Sequence, residues 1–540
     1  MAITETSVSP DVVEPAATLP PALEPRGVVG LVGTGDHKAI GRLWIGASLI
    51  FGIASLVLAA VTALGQRAGA SFPPTDAVQR VFVLGRVGLV LFFLVPLFVG
   101  LATYVVPLQV GSATVAFPRG AAAAFWTWLI GAGMFVGATI ANGGPGGTSK
   151  NMVDLSLVSL GLVLLALLLG AVAVATTVFT MRTRGMYVDR VPMFSWSMVV
   201  ATGVWFLTVP VAIANLTLIF LDHNAGGPSK FGVATDQWGQ LQWLFAQPQV
   251  FAWAIPALGV AADAVATLSR GRQPGRGFVM TGIGAFGVLA IGAWAQPAFI
   301  PSVYDQATFV VVSCAISIPV VLVLAGMLVD LRKGSRASAS PVALSFLSVV
   351  LLLLAGAAAI AFVLKPLRLH GEGAPTALAD LATFTWGQPA VQVGLTGLIV
   401  LAAAAAGLAG IYYWGPKITG HRVSDGPGKL VVILIALATL LYGLPYVALG
   451  FAARWTTIAD AADTLSLIAV AGAALGAVAL LVGAFSLLSS LTADGAPDDP
   501  WECGQTLEWA CPSPPPRGNF GELAEVTSAQ PLLDWRGEED

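Results

Sequence analysis

Redox, metal and acid–base chemistry needs imidazoles, thiolates or carboxylates at fixed spacing, and this chain of 540 residues has only four histidines and three cysteines. His37, His223, His370 and His421 are isolated from one another, and a lone loop histidine is read first as a solvated side chain. Cys503 and Cys511 have no histidine beside them, too few donors for a structural zinc site, so they are expected as free thiols. Among the polar residues inside apolar stretches, Gln247, Gln249, Gln296, Gln388, Gln392, Arg86 and Asp263 stand out. Amides are poor ligands for transition metals, but they hydrogen-bond well to each other and to water. Two readings of the glutamines stay open: helix-to-helix glue worth about 0.6–2 kcal/mol each, or the lining of a hydrated cavity or small-ligand site. Asp263 is either a proton-binding group or a local partner of Arg270. Arg86 costs at least about 2.5–3.5 kcal/mol at the centre of a membrane helix, so it snorkels, pairs with an external-loop carboxylate or faces the bundle interior.

The elements that position these residues follow from composition. The chain is 56% hydrophobic and 10% charged, against roughly 45–50% apolar and about 25% charged for a soluble domain. Its mean hydropathy is +0.83. These values describe a polytopic membrane protein and exclude a disordered, collagenous or disulfide-stapled chain. A net charge of −3 without a concentrated basic face excludes nucleic acid as a partner. Runs of about 20 apolar residues, the length that crosses a bilayer, occur near 40–64, 79–107, 120–142, 153–180, 192–221, 238–268, 277–299, 306–330, 340–364, 386–413, 427–452 and 465–491. They are too long and unalternating for barrel strands, so the fold class is all-α with twelve transmembrane helices.

Arginine and lysine concentrate in alternate loops: Arg182, Arg184 and Arg190; Arg270, Arg272 and Arg276; Arg332, Lys333 and Arg336; Lys417, Arg422 and Lys429. By the positive-inside rule both termini are cytoplasmic. The expected organisation is a flexible N-terminal segment, 1–36, a membrane domain, 37–491, and an extended, mostly unstructured tail, 492–540, rich in proline and acidic residues.

Several phrases at matching points resemble subunit I of the heme-copper oxidases, most like the cytochrome c oxidase branch. They are Gly35-Asp36-His37-Lys38, then Leu91-Phe92-Phe93 through Tyr104-Val105-Val106-Pro107 to Ala116-Phe117-Pro118-Arg119, and Gln247-Pro248-Gln249-Val250-Phe251. Tyr412-Tyr413-Trp414-Gly415-Pro416-Lys417 follows, and the tail carries Asp499-Pro500-Trp501, Thr506-Leu507-Glu508-Trp509, Pro514-Pro515-Pro516 and Asn519-Phe520-Gly521-Glu522-Leu523. The resemblance covers roughly residues 35–534 and implies the family's twelve-helix arrangement, two hemes, copper, and partner subunits of an oxidase complex.

The six ligand histidines that the resemblance implies are replaced. The low-spin heme position six residues before Phe92-Phe93 is Arg86, the copper position opening the helix-six motif is Gln247, and its partners are Gln296 and Pro297. The remaining two heme positions, counted back from Tyr412, are Gly394 and Thr396. The family's cross-linked tyrosine is Phe251, its proton-entry acid is Thr114, and of its propionate-holding arginines only Arg454 has a counterpart. The expectation is a chain with no heme or copper of its own and no oxygen reduction. It is read as a structural or modulatory subunit of a respiratory electron-transport complex, with other oxidase-type subunits and the bilayer as partners, in a bacterial cytoplasmic membrane. Alternatives are an active heme-binding terminal oxidase with atypical ligation, or a transporter or quinone- or lipid-binding protein using the emptied core. In the first reading the Arg86 side chain partly fills the low-spin heme space.

Overall fold

Where a chain meets lipid it must satisfy its own backbone, and the apolar runs do so as helices. The computed structural model describes residues 27–67, 70–225, 236–296, 303–333, 339–364, 383–384, 388–453 and 455–537. Five long apolar helices come first: α1 His37–Gly65, α2 Ala77–Gln109, α3 Pro118–Ile140, α4 Lys150–Thr180 and α5 Met193–His223. Two shorter ones follow, α6 Ile255–Leu268 and α7 Arg276–Leu289. The last five are α8 Ala307–Arg332, α9 Ser340–Val363, α10 Ala390–Thr419, α11 Asp425–Ala452 and α12 Ala462–Ser490. The all-α expectation holds, and the twelve expected runs correspond to ten helices long enough to cross a membrane plus two shorter ones. Thr383–Phe384 and Gln388–Pro389 pair as an antiparallel two-residue ladder.

The expected unbroken helices 238–268 and 277–299 are corrected. The first is divided into Gln237–Leu241, a 3-10 turn Gln242–Phe245, Gln249–Trp253 and α6. Pro248 and Pro256 explain the breaks, since proline lacks an N–H and clashes with the preceding turn. The second ends at Leu289.

Burial orders the bundle. The most apolar stretches of α2 and α10 are buried throughout, whereas those of α1, α3, α5, α11 and α12 are less than half buried. The two buried helices therefore form the centre, and the run Ala402-Ala403-Ala404-Ala405-Ala406 lets neighbours approach α10 closely. Two helix ends are capped within the chain: the Asp36 side chain accepts from Lys38 N at the start of α1, and α10 stops at Gly420, whose φ of 78° suits a residue without Cβ. Both α2 and α11 contain a π-helical turn, Gly88–Leu94 and Thr439–Gly443. Such turns are often found at functional sites.

Among the described residues the tail holds a 3-10 turn Leu507–Trp509 and a short helix Pro531–Trp535, with irregular chain between them. It is nevertheless docked, which corrects the expectation of an unstructured segment. Trp501 Nε1 donates to the Tyr413 carbonyl (3.2 Å), Lys417 Nζ to the Asp498 carbonyl (2.7 Å), and Gln505 Nε2 to the Ala266 carbonyl (3.1 Å). Asn519 Nδ2 donates to Ser112 O (2.7 Å), and Arg272 pairs with Asp534 (2.9 Å). Leu507, Glu508, Trp509 and Cys511 are buried against the bundle.

Candidate functional site

Arg86, Gln247, Gly394 and Thr396, four of the replaced positions, gather with their neighbours where α2, α10 and α11 meet the broken helix six. Arg86 is 3% exposed and does not snorkel. Its Nη2 donates to the Gln392 carbonyl (3.1 Å) and its Nη1 to the Val393 carbonyl (3.3 Å), both in the first turn of α10. Thr396 Oγ1 donates to the same Gln392 carbonyl (2.9 Å) and to Phe245 O (2.7 Å). Arg86 and Thr396, two of the residues at positions where the resemblance implies heme ligands, thus meet at one oxygen atom. No slot for a macrocycle separates them.

Gly394 closes the neighbouring position by a different route. A Cβ there would stand 2.7 Å from both Gly443 O and Val447 N, so α10 and α11 touch backbone to backbone. Beside Arg86 lies a cavity of about 20 Å³, lined by Thr62, Phe82, Val393, Tyr442 and Tyr446 among others. Sites for drug-sized ligands run to about 300–1,000 Å³, and a porphyrin is no smaller. Neither the donors nor the space here suit heme.

The glutamines mostly satisfy the bundle itself. Gln247 Nε2 donates to Ser313 Oγ (3.0 Å) and Ala359 O (3.4 Å), while Gln247 N donates to Gln392 Oε1 (3.2 Å). Gln249 Oε1 accepts from Thr208 Oγ1 (3.1 Å) and Gly292 N (2.9 Å). Gln296 Nε2 turns back to Ala293 O (3.0 Å). Gln247 Oε1, Gln249 Nε2 and Gln392 Nε2 remain buried without a protein partner. Pro297, Arg454 and His370 lie outside the described residues, as does the side chain of Gln388.

Among the histidines, His37 is 1% exposed, which corrects the solvated reading. Its Nδ1 donates to Thr103 O (3.0 Å) and its Nε2 accepts from Asn519 Nδ2 (3.0 Å), so it fastens the tail to α1 and α2. Among the described residues no group of three or more His, Cys, Asp or Glu side chains is placed to hold a metal ion.

Asp263 is not the partner of Arg270. It accepts from Met193 N (2.8 Å), Phe194 N (3.0 Å) and Gln109 Nε2 (2.9 Å), acting as the anion at the N-terminus of α5. Gln109 Nε2 also donates to Glu508 Oε1 (3.2 Å), and Ser195 Oγ donates to Gln109 Oε1 (2.7 Å). This cluster joins two buried carboxylates through one amide, and sequence reasoning missed Gln109, Ser195 and Glu508. The only signal was a glutamine ending an otherwise apolar helix.

Burial pushes the Glu508 carboxyl from its ordinary 4.5 up to about 7, and the neighbouring Asp263 charge adds to the rise. Between those values the folded protein holds a proton that the unfolded chain has released, so folding stability falls as pH rises through that window. The expected loss is roughly 3 kcal/mol at most, complete above about pH 7. Glu508→Gln should therefore melt higher than the parent at pH 8 and close to it at pH 5. Parallel pH profiles for the two proteins would contradict this.

Comparison with known proteins gives a consistent family. The family described as cytochrome c and quinol oxidase polypeptide I matches residues 39–375. A relative in Nocardia farcinica named probable cytochrome c oxidase subunit 1-beta is 28% identical over 93% of this chain and 87% of its own length. A Corynebacterium diphtheriae protein named cytochrome c oxidase subunit 1 is 25% identical over 96% of this chain and 94% of its own. A heme-copper oxidase subunit I+III of Aeropyrum pernix is 26% identical over 92% of this chain, which spans 62% of that longer protein.

Proposed function

Because this chain belongs to the cytochrome c and quinol oxidase polypeptide I family, we propose that it is a family member that carries neither heme nor copper and serves as a structural or modulatory subunit of a respiratory complex. The observation that carries this reading is the shared carbonyl of Gln392, which brings Arg86 and Thr396 together where a porphyrin would have to stand. Gly394, with backbone atoms on the far side of its missing Cβ, supports it. Fold membership alone does not carry catalysis when the site chemistry differs.

The docked tail supports a role among partners. The family-like phrases Asp499-Pro500-Trp501 and Thr506-Leu507-Glu508-Trp509 are anchored to α6 and α10, so the chain keeps a built surface outside its membrane helices. In this reading the tail and both termini are cytoplasmic, the membrane is a bacterial cytoplasmic membrane, and other oxidase-type membrane subunits bind there. A quinone or lipid ligand would not use the core, whose cavity at Arg86 is too small. The groove between α1 and α12 suits an acyl or isoprenoid chain better, with about 490 Å³ lined by Ile45, Leu49, Ile53, Leu487 and Leu488 and Arg42 among its lining residues.

The test is the composition of the complex purified from membranes through a tag on this chain. At least one oxidase-type membrane subunit should co-purify in fixed ratio. Purification as a solitary chain under mild detergent would contradict the proposal.

A further inference from the structure

Arg86 is a buried cation whose charge nothing described neutralises. Its two contacts are neutral carbonyls, its guanidinium lies 5.8 Å from the centre of the Phe82 ring, and among the described residues no carboxylate pairs with it. Its Nε is buried and unpartnered. The acceptors belong to the first turn of α10, a helix of 30 residues, so the positive end of that helix adds to the local potential instead of offsetting it. An uncompensated cation in a low-dielectric interior is costly, and such charges are ordinarily paired.

The space beside it fits a compensating ion. The adjoining cavity of about 20 Å³ has room for one water-sized or halide-sized species. Tyr442, on the π-helical turn of α11, lines the same cavity. Its hydroxyl makes no hydrogen bond among the described residues, which leaves an O–H free to donate. Thr62 also lines it, with its own hydroxyl proton already given to Leu58 O (2.8 Å). A guanidinium with an unpartnered Nε and a phenol without a described hydrogen-bond partner around one small cavity form a donor set for an anion.

We propose that the Arg86 cavity binds one small monovalent anion of the halide class, held by Arg86 and the Tyr442 hydroxyl. The ion neutralises Arg86 and ties α2, α10 and α11 together at their common contact. The inference rests on the reading that no porphyrin occupies the gap between Arg86 and Thr396.

The experiment uses the complex as purified, with bromide as probe. Crystals grown in bromide should give one anomalous peak at bromine within hydrogen-bond distance of Arg86. Thermal unfolding at constant ionic strength should shift upward as bromide replaces gluconate. Tyr442→Phe, which keeps the ring and the cation, should weaken the half-saturating bromide concentration by about tenfold, the effect of losing one hydrogen bond to a charged group. Arg86→Met should abolish the bromide response, and the milder tyrosine variant keeps the test informative if that protein does not fold. A cavity with water density and no anomalous signal, or an identical bromide response in parent and Tyr442→Phe, would overturn the proposal. Heme assayed in the same sample separates the failures: heme bound here removes both readings, and no heme with no bromide removes the anion alone.

Discussion

Replacing Gly394 with histidine, the residue type that the family resemblance implies there, is expected to abolish folding instead of restoring a cofactor site. The reason is the distance between backbones. A Cβ at this position would lie 2.7 Å from Gly443 O and Val447 N, and neither is a side chain that can swing away. Even Gly394→Ala forces α10 and α11 apart, and overpacking of this kind costs about 1–3 kcal/mol. Histidine adds a ring with nowhere to go, so the yield of folded protein from membranes should fall severalfold or more. Gly46 provides the control, since nothing lies within 4 Å of a Cβ placed there. Gly46→Ala should leave stability unchanged or raise it slightly, because alanine is the better helix former. The readout is thermal unfolding in detergent. A folded Gly394→His protein with parental stability would show that α10 and α11 are free to separate, and the closed-site argument would fail.

Asp263→Ala is expected to be the most destabilising truncation in the half of the bundle against which the tail docks. The carboxylate accepts three hydrogen bonds, two from the first backbone N–H groups of α5 and one from Gln109. Its removal leaves buried donors unpaired, at about 1–3 kcal/mol each, and takes away the negative charge that the helix N-terminus favours. A loss of about 3–5 kcal/mol follows. Asp263→Asn keeps one acceptor oxygen and should lose about half as much, as measured by the same unfolding assay. If Asp263 were instead a proton-relay group without a structural duty, both variants would melt with the parent.

How far these positions could be read from sequence depended on the kind of interaction. The twelve apolar runs were plain because a bilayer demands length and apolarity, and both are additive along the chain. The interruption at Pro248 and Pro256 was visible as residues, though a hydropathy reading averages over it. Arg86 was conspicuous by its charge, but its partners are the carbonyls of Gln392 and Val393, and a backbone acceptor has no sequence signature. Gly394 was identified by its place in a motif, whereas its tight packing depends on Gly443 and Val447 across another helix. Asp263 was singled out with the wrong partner, since Arg270 is near in sequence while Met193 and Phe194 are near in space. The tail was misread as loose because its anchors, Trp501, Gln505, Glu508, Trp509 and Asn519, follow no period. Each docks individually into the bundle, and such contacts fix a segment without making it regular.

A chain that keeps the family's scaffold without its cofactors should hold none of them when its complex is taken apart. The complex purified through this chain should be examined by visible absorption, heme extraction and copper analysis, with each cofactor assigned to its subunit by mass spectrometry. Any heme or copper should then belong to partner subunits and none to this chain. Stoichiometric heme on this chain would contradict it, because a macrocycle would then have to part Arg86 from Thr396 at the oxygen they share.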